Sequence, residues 1–223
     1  MKAGFKKLIV ALDVDTEREV SRIVKSFSPY QAKFKVGSIA FAKFGPALVR
    51  RMVLKKCDVF VDLKFYDIPN TMAKAAGVLT GLGCWAFTVH VKAGQVGLRA
   101  VCAETRQVAK KYKLRKPLVL GVTELTSSDA DKHEVMRLAK LAASAGLDGV
   151  VSSAWEAKSI KRAFPKLKVV TPGIRGPKDV TDDQKRVATA KVAFANGADY
   201  IVVGRPIVAA KNYVRAARDI LGK

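Results

Sequence analysis

The sequence predicts an α/β protein of the (β/α)8 barrel class, folded as a single domain over residues 1–223. Three observations predict it. Short apolar runs rich in β-branched residues recur eight times. Each is followed by a stretch with apolar residues near 3.6-residue spacing. The runs are apolar almost throughout, as parallel strands covered by helices must be, and eight such units close a barrel. At 24.2 kDa the chain can bury one full core. An open doubly wound sheet would carry GxGxxG after its first strand, where this chain reads ALDVDTE.

The first strand is KLIVALDV (7–14). With two lysines before it the segment imitates a signal peptide, but the apolar run Leu8 to Leu12 is too short, stops at Asp13 and leads to no small-residue cleavage site. AKFKVG (32–37) follows, then FGPALVRRMVLKKC, in which Pro46 suits a first helical turn. VFVDLKF (59–65) precedes the helical TMAKAAGVLTGLG, and AFTVHV (86–91) and PLVLGVTEL (117–125) are the fourth and fifth strands. EVMRLAKLAASAG is a helix stopped by Gly146 as its C′ residue. GVVSS (149–153), KVVTPGI (168–174) and YIVVGRPI (200–207) complete the set, with Gly197 ending the last intervening helix.

Composition narrows the function classes. The three cysteines, Cys57, Cys84 and Cys102, lack CxxC spacing and read as buried thiols in a reducing compartment, so a cytoplasmic location is expected. Only His90 and His133 are present, which argues against a histidine-rich metal site. No apolar stretch approaches the ~20 residues that span a bilayer. The net charge of +22 raises nucleic-acid binding. Its densest runs, Lys110–Lys116 and Lys158–Lys168, fall before the fifth and seventh strands, at the end of a barrel away from its chemistry. Without aromatic interleaving they read as solvated surface, and no specific nucleic acid is expected as a partner.

Barrel chemistry sits at the C-terminal strand ends. Here those ends carry Asp13, Lys35, Asp62 with Lys64, His90, Thr126 with Ser127, Pro172–Arg175 and Gly204–Arg205. Asp, Ser and Thr are also ordinary helix caps, but a cap cannot use lysine. Side chains alternate along a strand, so Asp62 and Lys64 point the same way while Leu63 faces the helices. Lys35 ends the neighbouring strand, and Asp67 lies in the loop that Pro69 stiffens. A structural ion-pair network is the bland account of a Lys–Asp–Lys–Asp array. Its desolvation cost favours a working one, because apolar replacements would often be at least as stable. A fixed ammonium suits the stabilisation and protonation of a carbanion, and a nearby carboxylate can oppose a substrate carboxylate that leaves as carbon dioxide. Gly173 and Gly204 allow backbone N–H groups close to an anion, Arg175 adds a bidentate donor, and Arg205 begins a helix. Residues 173–184, GIRGPKDVTDDQ, are long enough to fold over a ligand.

DLKFYDIPNT resembles the signature of the orotidine 5′-phosphate decarboxylase family. ALDV, FKVG, VTELTS, GLDGVVSS, VTPGIR, DDQKRV and GADYIVVGRPI stand in the family's order along the whole chain. The resemblance implies a TIM barrel that converts orotidine monophosphate to uridine monophosphate, the last step of de novo pyrimidine synthesis, with no cofactor and no metal. It implies that Lys64 stabilises and protonates the C6 carbanion. Asp62 would stand against the substrate carboxylate, and Lys35 between Asp62 and the ribose. It implies a homodimer in which Asp67, Ile68 and Thr71 enter the partner's site. Asp13 would hold ribose hydroxyls, and Thr126 or Ser127 would read the pyrimidine. Pro172, Arg175, Gln184, Gly204 and Arg205 would surround the phosphate. VHVKAGQVG departs from the family pattern, so His90 and Lys92 receive no role. A sister magnesium-dependent enzyme acting on a keto-sugar phosphate would share Asp62, Lys64 and Asp67.

Overall fold

The computed structural model describes residues 2–124, 131–176 and 187–222. Each of the eight apolar runs contains one strand: β1 (Leu8–Ala11), β2 (Lys33–Gly37), β3 (Val59–Phe65), β4 (Ala86–His90), β5 (Leu118–Val122), β6 (Gly149–Val151), β7 (Lys168–Thr171) and β8 (Tyr200–Val203). They pair in parallel in chain order and β8 returns to β1, so the sheet closes. The helices are α1 (Lys2–Phe5), α2 (Glu17–Phe27), α3 (Ser38–Leu54), α4 (Pro69–Gly81), α5 (Gly94–Lys111), α6 (Lys132–Ala145), α7 (Ala154–Ala163), α8 (Ala190–Ala195), α9 (Arg205–Val208) and α10 (Tyr213–Ile220). Among the described residues none is long and apolar enough to cross a membrane.

Local signals account for the helix boundaries. Thr16 and Glu19 form a reciprocal capping box at the start of α2. Gly45, at φ 62°, breaks α3 so that Pro46 opens its second half. Gly146 terminates α6 at φ 86°, a left-handed conformation that glycine adopts without a Cβ clash. Several strands stop earlier than the sequence pattern suggests. The eighth ends at Val203 instead of 207, because Pro206 has no N–H to continue the ladder and Gly204 turns the chain into α9. The fifth and seventh end at Val122 and Thr171, which frees Glu124 and Pro172–Arg175 to serve as rim loops.

Strand alternation separates two apolar layers. Val10, Val36, Val61 and Val169 face the helices, and Leu63 packs on that side as expected. Ile9, Phe60, Leu120, Val170 and Val202 fill the lumen. The base of the lumen is sealed by Lys33, whose ammonium lies 5.1 Å from the Trp85 ring and 5.4 Å from the Tyr200 ring. Lys33 donates to the Lys6 carbonyl at 3.0 Å and pairs with Asp58 at 3.5 Å. Burial pulls this ammonium below the ordinary lysine value of 10.5, against the opposing pull of Asp58. Cys84 and Cys102 are buried free thiols and Cys57 is half-buried. Burial pushes Cys84 up to about 12, which leaves it an inert protonated thiol.

Candidate active site

At the C-terminal end of the strands the lumen opens into a cavity of about 530 Å³. Asp13, Lys35, Asp62, Lys64, Pro172, Arg175, Gly204 and Arg205 all line it, so most of the expected residues do converge. The charges alternate. Lys35 Nζ lies 3.6 Å from Asp13 Oδ2 and 3.6 Å from Asp62 Oδ2, while Lys64 Nζ donates to Asp62 Oδ1 at 3.1 Å. The Lys35 and Asp62 side chains are each only 13% exposed, whereas Lys64 is 37% exposed and faces the opening. Register explains the reach of Lys35. It pairs with Phe60, one layer below Asp62, and Gly37 pairs with Asp62 itself. The lysine chain therefore rises over Gly37, where a Cβ would stand 2.6 Å from Nζ and 3.2 Å from Asp13 Oδ1. A side chain there would push the Lys35 ammonium away from its place between the two carboxylates.

Lys64 is held by a distortion. Its φ is 49°, in the left-handed region, and the register of β3 against β4 slips between Val61 and Phe65. A non-glycine residue in that region costs on the order of 1 kcal/mol or more. Thr88 on β4 offsets this: its hydroxyl oxygen accepts from Lys64 N at 2.8 Å and donates to Asp62 Oδ1 at 2.9 Å. Thr88 is fully buried and ties the lysine backbone to the carboxylate beside its ammonium. The sequence pattern gave no reason to single it out, since a threonine in a strand is ordinary.

The two glycine-plus-arginine turns, after β7 and β8, also line the cavity. Gly173 has φ 73°, and Arg175 N donates to the Ala188 carbonyl at 3.0 Å, bracing the turn after β7. Gly204 caps α9, and Ile207 N donates to its carbonyl at 2.8 Å. Glu124 also lines the cavity and pairs with Lys92 at 2.5 Å. His90 stacks on Tyr66 with ring centroids 5.4 Å apart, and its Nδ1 accepts from Lys92 N at 3.3 Å. Burial and then the Lys92 charge keep His90 below its ordinary value, so it is neutral at pH 7.

The chain matches the model of the Orotidine 5′-phosphate decarboxylase / HUMPS family over residues 6–220. It belongs to that family. Relatives named orotidine 5′-phosphate decarboxylase include one from Legionella pneumophila strain Corby, 43% identical over 92% of this chain and 93% of its own. Another, from Syntrophomonas wolfei, is 40% identical over 98% of this chain and 97% of its own. The crystal structure of orotidine 5′-phosphate decarboxylase from Lactobacillus acidophilus superposes with a TM-score of 0.82 at 32% identity, covering 96% of each chain.

Some family-implied positions stand apart from the cavity. Asp67, Ile68 and Thr71 are exposed and do not line it. The Asp67 carboxylate accepts from Ile68 N at 2.6 Å, and no cation of the described residues is within ion-pair distance of it. Within one chain the array is thus Asp13–Lys35–Asp62–Lys64: Asp13 extends it at the Lys35 end, and Asp67 does not stand beside Lys64. Thr126, Ser127 and Gln184 lie outside the described residues.

Proposed function

We propose that this decarboxylase-family chain, acting as one catalytic domain, converts orotidine 5′-monophosphate to uridine 5′-monophosphate and carbon dioxide. The observation that carries the reading is the double engagement of Asp62. One oxygen faces Lys35 and the other faces Lys64 and Thr88, at the floor of a cavity whose far wall is two Gly-plus-Arg turns. A nucleoside monophosphate with its phosphate at Gly204–Arg205 and Arg175 sets its base over Lys64. Breaking the C6–carboxylate bond releases carbon dioxide and leaves the electron pair on C6. The Lys64 ammonium stabilises that charge, gives C6 its proton, and recovers one from solvent. Asp62 opposes the departing carboxylate and Asp13 takes the ribose hydroxyls.

The sister magnesium-dependent chemistry fits less well, because both Asp62 oxygens already face ammonium groups and offer a cation a repulsive neighbourhood. The test is loss of orotidine monophosphate absorbance with EDTA present. Undiminished turnover is expected, and activity only on a keto-sugar phosphate with added magnesium would overturn the reading.

The exposure of Asp67, Ile68 and Thr71 supports a homodimer in which each loop completes the partner's site. An exposed carboxylate without a cation suits a role beside the partner's lysines. Mixed dimers of inactive Lys64→Ala and inactive Asp67→Ala should therefore recover part of the activity. Proven subunit exchange with no recovery would sink the shared-site claim.

A further inference from the structure

The base of the barrel, opposite the cavity, carries a cationic face that the decarboxylation does not use. Asp58 and Asp148 are engaged by inner cations, Asp58 by Lys33 and Arg115 at 3.5 Å each, Asp148 by Lys116 at 2.6 Å. The Arg115–Asp58 pair draws the loops before β5 and β3 together. Around them Lys6, Lys55, Lys56 and Lys113 are exposed, and no carboxylate of the described residues lies within ion-pair distance of them.

Backbone conformation singles out two of these lysines. Lys56 and Lys113 have φ of 60° and 52° just past the ends of α3 and α5. The equivalent left-handed positions after α4, α6 and α8 hold Gly83, Gly146 and Gly197. A lysine at a helix C-terminus gains less from the dipole than the strain of a left-handed side chain costs. Next to Lys113 the ring of Tyr112 is 58% exposed, with Lys111 Nζ 5.2 Å from its centroid. An aromatic does therefore interrupt the basic run, contrary to the sequence reading, and stands outward. Trp85, Tyr200 and Lys33 close the lumen beneath.

Lys6, Lys55 and Lys56 line a concavity of about 670 Å³ between α2, α3 and β2. Several exposed lysines without carboxylate partners, together with an outward ring, suit an extended polyanion with flat bases better than a small anion. We propose that this face, formed by Lys6, Lys55, Lys56, Tyr112 and Lys113, binds single-stranded nucleic acid without sequence preference while the cavity at the other end works independently.

The test measures anisotropy of a fluorescein-labelled oligouridylate across a salt series. It compares the triple variant Lys55→Gln, Lys56→Gln, Lys113→Gln with a control triple, Lys140→Gln, Lys191→Gln, Arg215→Gln, which removes equal charge from exposed helix positions away from that face. The base triple should weaken binding by about tenfold or more and flatten the log–log salt slope by about 2, at roughly 0.7 for each lost phosphate contact. The control triple should stay within about twofold, and both should retain full decarboxylation as proof of folding. Tyr112→Ala should weaken oligouridylate binding and leave heparin binding unchanged. Equal losses in both triples, or no wild-type binding at physiological salt, would overturn the proposal. So would tighter binding to phosphatidylserine vesicles than to the oligouridylate.

Discussion

Lys33 and Lys35 sit two residues apart on the same strand, both point into the lumen, and both pair with an aspartate at about the same distance. Lys33 is at the base. Two aromatic rings, a backbone carbonyl and Asp58 surround it, and it is 8% exposed. Lys35 is at the rim, between two carboxylates that line an open cavity. The same i, i+2 pattern thus makes a plug at one end and chemistry at the other. What separates them is access: a charge sealed by rings can only hold the fold, whereas one beside an opening can act on a ligand.

The largest break in this comparison is Lys64→Ala, which removes the rim's exposed ammonium. Turnover should fall by at least about a thousandfold, the scale of a lost electrostatic donor combined with a lost proton donor. The melting temperature should barely move, and near-normal decarboxylation would remove Lys64 from the mechanism. Next come the two strand neighbours. Lys35→Met should lower kcat/KM by about a hundredfold, while Lys33→Met should leave it within a few-fold and change stability by about 1 kcal/mol or less, because Met fits the aromatic box and Asp58 keeps Arg115. Steady-state kinetics with chemical denaturation measures both, and equal activity losses would erase the distinction drawn here.

Thr88→Val tests the bridge between strain and charge. It leaves Lys64 N and Asp62 Oδ1 each one partner short, so kcat should drop by about tenfold with KM little changed, and Thr88→Ser should restore it. Loss that Ser fails to rescue would make Thr88 a packing residue only. The smallest effect is in pH. Since the folded state depresses the Lys33 value, the folded chain releases that proton at lower pH than the unfolded chain. The stability penalty is complete at neutral pH and shrinks as pH rises toward 10.5. Wild type should therefore gain on Lys33→Met across that alkaline window, and a constant difference would contradict the depressed value.

Much of the fold was legible because its signals are local. β-branched runs, helical spacing, Pro46 and Gly146 each act within a few residues, and each marks an element seen in the structure. The rim residues were legible for a related reason: a lysine at the C-terminal end of a strand cannot serve as a helix cap, as Asp, Ser or Thr can. Strand ends were overestimated at Val203, Val122 and Thr171, since apolar residues continue past the last ladder bond. Thr88, Gly37 and Glu124 were missed because their significance lies in contacts with other strands, and the reach of Asp67 was read from the resemblance to the family and not from any local pattern.

By itself the sequence determined eight strand–helix units, their parallel order and the placement of Asp62 and Lys64 on one side of one strand, because side-chain alternation and helix periodicity are properties of neighbouring residues. Only the tertiary structure decided which lysine is a plug and which faces a cavity, that Lys35 climbs over Gly37, that Lys64 is strained and braced by Thr88, and that Tyr112 stands free among lysines at the base. Those depend on barrel closure and on register between strands, which bring together residues that lie far apart along the chain.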